Sequence, residues 1–191
     1  MSTMSCIGID PGKDGYLCGT RPKNAGLEIR FWQPRILTVG GKSVYDVHGT
    51  AQEILEFLED CDGSSEILIE KQQAFPKQGG VSNFTTGYGF GMYLGIVSTL
   101  SLCADSGRPV SLSVVRPTDW MKVELQGMKK DKNDRKAASI IRAKQLYPGV
   151  DLKRTPRCTT DHDGKAESLL IAHHLRHWMW KEPKPEFVEF V

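Results

Sequence analysis

Apolar residues recur along this chain in two rhythms. Short apolar or alternating runs at 6–9, 16–19 and 27–32 predict three strands; in the third, Leu27, Ile29 and Phe31 alternate with Glu28, Arg30 and Trp32. Ile67-Leu68-Ile69 running into Glu70 predicts a fourth strand, and Val110–Val115, closed by Arg116-Pro117, a fifth. Ile36–Val39 either extends or follows the third. Helical spacing takes over at Val44, Val47, Ala51, Ile54, Leu55 and Leu58, which predicts a helix over 44–58. Further helices are expected over about 85–106, briefly from Asp119, from the basic segment 129–136 through Leu146, and over 162–180. Pro11-Gly12-Lys13-Asp14-Gly15 reads as a turn, and 71–83 as a polar loop. Phe84, at the end of that loop, is expected to pack against aromatic residues of the core.

The order is three strands, helix, strand, helix, strand, helices. A possible meander followed by alternation points to an α/β fold, a five-stranded mixed sheet flanked by helices. The 191 residues show no linker and no solenoid repeat, so one domain over 1–180 with an extended tail over 181–191 is expected. No apolar run is long enough to span a bilayer, and the strand-like start at Cys6 leaves no room for a signal or transit peptide. Five cysteines, an odd count with no CxxC pair, support neither a disulfide framework nor a zinc ribbon. Reduced thiols in a cytoplasmic setting follow.

Charge matters through its distribution. Net charge is +2, but residues 116–165 hold 13 Lys/Arg against 7 Asp/Glu, leaving the remainder net negative. A basic half suits a phosphate-binding surface, or equally a solvated loop-and-helix face.

Two strand-like runs end in an acid: IGID at Asp10 and ILIE at Glu70. On adjacent parallel strands both would lie at one sheet edge, where paired carboxylates ask for a cation. Either acid alone also fits a turn cap; the third element is DHDGKAESLLIAHH. There Asp163 and Glu167 are four apart and share one helix face, although Asp161, Asp163 and Glu167 also suit a helix N-terminus as dipole complements. Together the acids supply hard oxygen ligands that suit Mg²⁺ or Mn²⁺. Two such ions ~3.5–4 Å apart can activate water and stabilise the leaving oxygen of a phosphodiester.

The blocks IGIDPGKDGYL, ILIEKQQAFPKQGG, GYGFGMYLGIV, VRPTDWMKVELQG and DGKAESLLIAHH resemble RuvC-type Holliday junction resolvases, nearest the phage and chloroplast branch. The resemblance covers about residues 5–176. It implies a ribonuclease H-like fold, a homodimer, two Mg²⁺ per active site with Mn²⁺ as a substitute, and paired symmetric nicks in four-way double-stranded DNA junctions. By position it implies Asp10, Glu70 and Glu167 as catalytic metal ligands. Asp163 falls where family members carry Asp or His. Some members space this pair three apart, but that position here is Gly164, so Asp163 is taken, with His162 and Asp161 as alternatives. Basic residues near Lys122 and Lys132 approach the scissile phosphate in such resolvases, which makes Lys132 a catalytic candidate. Lys122, Lys129, Lys130, Lys132, Arg135, Lys136 and Phe75 are the expected DNA contacts, Phe75 by stacking on a base. The implied setting is a bacterial or phage-infected cell, with a processed organelle protein as the alternative.

Gly87, Gly91 and Gly95 recur every fourth residue, at ~1 kcal/mol each against alanine in a helix. They invite either helix pairing across a two-fold axis or close packing over the sheet. His173 and His177 are four apart but have no cysteine or acid nearby in sequence. Rival functions are a nuclease selective for forks or flaps, a non-cutting DNA-binding protein, and a nucleotide-binding module of the actin and sugar-kinase type. The last shares the opening strand and Gly-rich turn, but needs a second such domain.

Overall fold

The computed structural model describes residues 4–12, 14–23, 26–61, 63–72, 79–104, 108–128, 132–179 and 188–190, with the backbone alone at 81, 82, 132, 133, 178, 179 and 188–190. Strands β1 (Ser5–Ile9), β2 (Leu17–Lys23) and β3 (Gly26–Trp32) form an antiparallel meander. After a hairpin of β4 (Ile36–Val39) and β5 (Lys42–Tyr45), helix α1 (Val47–Glu59) leads to β6 (Ser65–Glu70). Helix α2 (Gly80–Cys103) returns to β7 (Val110–Val115), followed by α3 (Pro117–Glu124), α4 (Lys132–Leu146) and α5 (Asp163–His174). A π-helical turn, Leu175–Met179, extends α5. Strand β6 pairs parallel with both β1 and β7, so the main sheet is mixed, as expected. The tail adds a sixth strand, β8 (Val188–Phe190), parallel to β3, giving the order β7-β6-β1-β2-β3-β8.

Alternation assigns the two faces. Ile7 and Ile9 of β1 and Ile67 and Ile69 of β6 pack with Ile54, Phe57, Tyr93 and Val97 under α1 and α2. Cys6 and Leu68 point the other way, into a cluster with Trp120, Leu152, Leu169 and Ala172 under α3, α4 and α5. Both faces are covered, so the central strands read as unbroken apolar runs.

Helix α5 is the central helix. Residues Ser168 to His174 are all buried, as are Gly164 and Ala166, which is why its apolar positions show no single stripe. It lies unusually close to the sheet at Gly8. A Cβ there would fall 2.3 Å from the Ser168 carbonyl oxygen and 2.4 Å from the Ala172 nitrogen.

Several boundaries differ from expectation. Residues 42–45 are strand rather than the first turn of a helix. Gly40 and Gly41 take φ of 57° and 76°, the two left-handed residues of a tight hairpin turn. The helix starts after Asp46, whose carboxylate accepts from Gly49 N–H at 2.8 Å. Helix α2 starts at Gly80, so Phe84 stands within it. Phe84 is 75% exposed and stacks on Tyr88 instead of packing into the core. Close packing of Gly87, Gly91 and Gly95 over the sheet is also ruled out, because a Cβ at any of them meets nothing within 4 Å.

The Gly8 contact is testable. Gly8→Ala drives a methyl into the α5 backbone at Ser168 and Ala172 and is expected to cost about 3 kcal/mol or more. Urea unfolding reads this directly; a loss below about 1 kcal/mol would show that α5 can lift without penalty.

Candidate active site

Strand pairing sets the first two acids. Ile9 is in register with Ile69, so Asp10 and Glu70 follow as the next residues on parallel neighbours. Both share the parity of Gly8 and Leu68, which turns them to the α5 side of the sheet. Asp10 is 9% exposed and Glu70 7%. The turn after β1 is closed by Gly12 N–H donating to Asp10 Oδ1 at 3.0 Å, by Asp10 N–H to Tyr16 O at 3.0 Å, and by Gly15 N–H to Gly12 O at 2.9 Å.

Helix α5 brings the other two. Its first residue is Asp163, and Glu167 lies one turn on, half-buried and above the strand ends. The two alternatives to Asp163 are engaged elsewhere. His162 is the N-cap, its Nδ1 accepting from Gly164 N–H at 3.1 Å, and Asp161 pairs with Lys144. Of the three, Asp163 is the one whose charge is felt by both Asp10 and Glu167.

The electrostatics express this crowding. Burial raises the Asp10 carboxyl to about 6, against the Gly12 N–H that lowers it, with Asp163 adding to the rise. Glu70 is raised to about 7 by burial and by Asp10, opposed by the Trp120 indole and the Gln72 amide. Burial lifts Glu167 to about 8, and Asp10, Glu70 and Asp163 push the same way. Asp163 behaves oppositely. Burial raises it, but the hydrogen bond and charge of Lys136 outweigh that and hold it below its ordinary value. The Lys136 ammonium rests on Asp163 Oδ2 and feels Glu167 and Asp10 as well.

Lys136 is therefore the described basic side chain that enters the cluster. Lys132, one turn earlier, heads α4, and its side chain is not described. Arg135 is exposed. Lys122 is exposed on α3, where it stabilises the Asp119 charge. Lys129, Lys130 and Phe75 lie outside the described residues. Sequence reading placed Lys136 among DNA contacts only; its i, i+4 spacing from Lys132 was the available signal. Arg154 was missed altogether. It donates to Asp14 Oδ1 at 3.1 Å, on the same loop as Asp10, across 140 residues.

The donor set is all carboxylate oxygen, which fits a hard divalent cation. Among the described residues, no three Asp, Glu, His or Cys side chains stand close enough to enclose one as they are. His173 and His174 are engaged away from the four acids. His174 Nδ1 lies 3.0 Å from Glu124, and His173 Nδ1 lies 2.8 Å from the Tyr147 hydroxyl.

The chain is similar in structure to RuvC of Thermus thermophilus, with a TM-score of 0.52 and 19% identity over 95% of this chain and 99% of that one. The chain has a RuvC-like fold. The T. thermophilus RuvC structure in complex with Holliday junction substrate matches with a TM-score of 0.50 and 17% identity, over 93% of this chain and 98% of that one. The yeast mitochondrial Holliday junction resolvase Ydc2 matches with a TM-score of 0.51 and 16% identity, over 92% of this chain and 79% of that chain. At these identities the likeness is one of fold. No family model matches the chain, and no curated protein matches it in sequence. Among the described residues, no helix is long and apolar enough to cross a membrane.

Raised carboxyl pKa values have a signed consequence. Asp10, Glu70 and Glu167 keep protons in the folded state that the unfolded chain gives up near pH 4. Their favourable contribution is complete below that pH and is lost as pH rises through about 6 to 8. Without divalent cations, stability should therefore fall between pH 5 and pH 8. Glu167→Gln removes the charge and should recover roughly 1–3 kcal/mol at pH 8, with little gain at pH 5. Thermal melts in chelator at both pH values measure it; an equal effect at both would refute the electrostatic account.

Proposed function

We propose that the chain is a metal-dependent endonuclease that resolves four-way DNA junctions by paired nicks. The carrying observation is the convergence of Asp10, Glu70 and Glu167, three buried or half-buried carboxylates with raised pKa, at one end of β1 and β6. A structure optimised for stability alone would not gather them.

In this reading Asp10, Glu70, Asp163 and Glu167 hold Mg²⁺, or Mn²⁺ in its place. Bound there, two such ions would supply a nucleophile at neutral pH and neutralise charge on the scissile phosphate. The carboxylates also set where the phosphate can come, since the strand-end acids close the site from below and α5 from above. Ligation requires Lys136 to leave Asp163, and its ammonium is then free to meet the phosphate at the rim. Lys132, on the preceding turn of α4, is the second candidate for that contact. Arg135, Lys122, Lys129 and Lys130 extend the basic approach, positioning the duplex arms through phosphate contacts. Phe75 follows Glu70 by five residues and is proposed to stack on a base there.

The four-way junction is favoured over other branched DNA by the RuvC-like fold and the resemblance of the motif blocks. The decisive experiment incubates the protein with Mg²⁺ and a fixed four-way junction, a fork or linear duplex. Symmetric paired nicks in the junction alone are expected; indiscriminate cutting, or none, would overturn the reading. Asp10→Asn should abolish cleavage by at least about 100-fold yet leave junction binding unchanged. Loss of folding in that variant would show Asp10 to be structural.

A homodimer is part of the same proposal. Gly87, Gly91 and Gly95 border an open groove of about 830 Å³ between α1 and α2, walled by Val47, Ala51 and Met92. A backbone from a second copy can approach there closely. Gly91→Arg is expected to turn a dimer into a monomer in sedimentation velocity, with the melting temperature unchanged at high dilution. A dimer that survives the arginine places the interface elsewhere.

A further inference from the structure

Trp120 is the bulkiest of the fully buried side chains. Packing would be served by any large apolar residue, but an indole also brings one N–H, which usually takes a partner when buried. That partner is Glu70. Trp120 Nε1 donates to Glu70 Oε1 at 2.8 Å, across 50 residues of sequence. The other oxygen, Oε2, takes a longer bond of 3.3 Å from Gln72 Nε2. An indole nitrogen donates only, so it can neither ligate a cation nor accept a proton from the carboxyl. Its contact acts on the orientation of Glu70.

The frame around this bond is short and well fastened. Glu70 and Val115 are paired at the ends of β6 and β7, and Lys71 N–H donates to Val115 O at 2.7 Å. Pro117 opens α3 at its first helical position. Arg116 grips Asp119 with two bonds, at 2.7 and 3.0 Å. Trp120 thus follows the end of β7 by five residues, with both ends of that span fixed. One turn on, Glu124 shares the inward face of α3. It is 2% exposed and pairs with His174 Nδ1 at 3.0 Å, with His173 Nε2 at 3.8 Å. Those histidines lie on α5, the helix that carries Asp163 and Glu167. A single face of α3 therefore holds the strand-borne acid through Trp120 and the helix bearing the other acids through Glu124.

We infer that Trp120 is a positioning residue that fixes the Glu70 carboxylate for divalent-cation ligation. This rests on the proposed role of Glu70 as a ligand. Hydrogen-bond partners of metal ligands are typically worth about 10–100-fold in metal affinity or activity.

The test uses the full chain and Mn²⁺ titrated by calorimetry. Four proteins are compared: wild type, Trp120→Phe, Glu70→Gln, and a form with 3-benzothienylalanine at 120, which keeps the ring shape and lacks the N–H. Trp120→Phe and the isostere should each weaken Mn²⁺ binding by about 10–100-fold, lower kcat for junction cleavage by a similar factor, and leave KM for the junction unchanged. In ¹⁵N-tryptophan-labelled protein, the indole N–H signal lost in Trp120→Phe should move in Glu70→Gln. An isostere that melts like wild type and binds Mn²⁺ equally well overturns the positioning role, provided Glu70→Gln does weaken binding. If Glu70→Gln leaves Mn²⁺ affinity intact, Glu70 is no ligand, and the underlying assignment fails instead. Should Trp120→Phe fold poorly, the isostere and the indole signal still decide.

Discussion

The close seat of α5 on β1 at Gly8 is the constraint from which the rest follows. With no side chain at position 8, the helix backbone comes within the space a Cβ would need, against Ser168 and Ala172. A larger residue would lift α5 and its acids away from the strand ends. Strand alternation does the remaining work. Because Gly8 faces α5, Asp10 faces it too, and the parallel register carries Glu70 with it. A one-residue slip would turn both acids toward α1 and α2. The placing of the acids and the packing of the core are thus the same contact, viewed at its two ends.

That contact gathers charges that repel. At an effective dielectric of about 20, two carboxylates 4 Å apart cost each other about 4 kcal/mol. The chain meets this in two ways. Lys136 neutralises Asp163, the acid nearest solvent, while Asp10, Glu70 and Glu167 retain a raised affinity for protons. The offset comes from the packing beneath. Ile7, Ile9, Ile67 and Ile69 are fully buried and each contributes roughly 1.5–3 kcal/mol of apolar burial. The strands that end in unfavourable acids are therefore the strands with the most apolar support.

What could be read from the sequence follows this division. Alternating and unbroken apolar runs located all five body strands, and strand-end acids on two of them pointed to a shared edge. The failures have physical reasons. Val44 and Val47 stand three apart and fit a helical rhythm, yet the Gly40-Gly41 turn makes a hairpin of residues 36–45. Helix α5 is buried all round, so periodicity could mark its existence but not its face. The sixth strand has only three residues and gains its place from the β3 edge, a partner 161 residues away in sequence. Trp120 could not be assigned by type or spacing, since what distinguishes it is the atom it touches, and for Lys136 the spacing from Lys132 was the one signal.

Helix α2 shows two different uses of glycine on one element. At Gly89 the reason is internal: a Cβ would meet the Tyr45 hydroxyl at 3.1 Å and the Pro11 carbonyl at 3.2 Å. Pro11 follows Asp10, so Gly89 lets α2 brace the turn that holds the first acid. At Gly87, Gly91 and Gly95 no neighbour among the described residues is spared a clash, and the helix bears about 1 kcal/mol for each without a gain among them. The exposed aromatic pair Phe84 and Tyr88 lies on the same helix, with Tyr88 against Tyr45 of the hairpin. One side of α2 is thus fitted to the Asp10 turn, and the other is left smooth and apolar. The helix that presents the smooth side to the outer groove is therefore the one that packs, at Gly89, against Pro11 and the Asp10 turn.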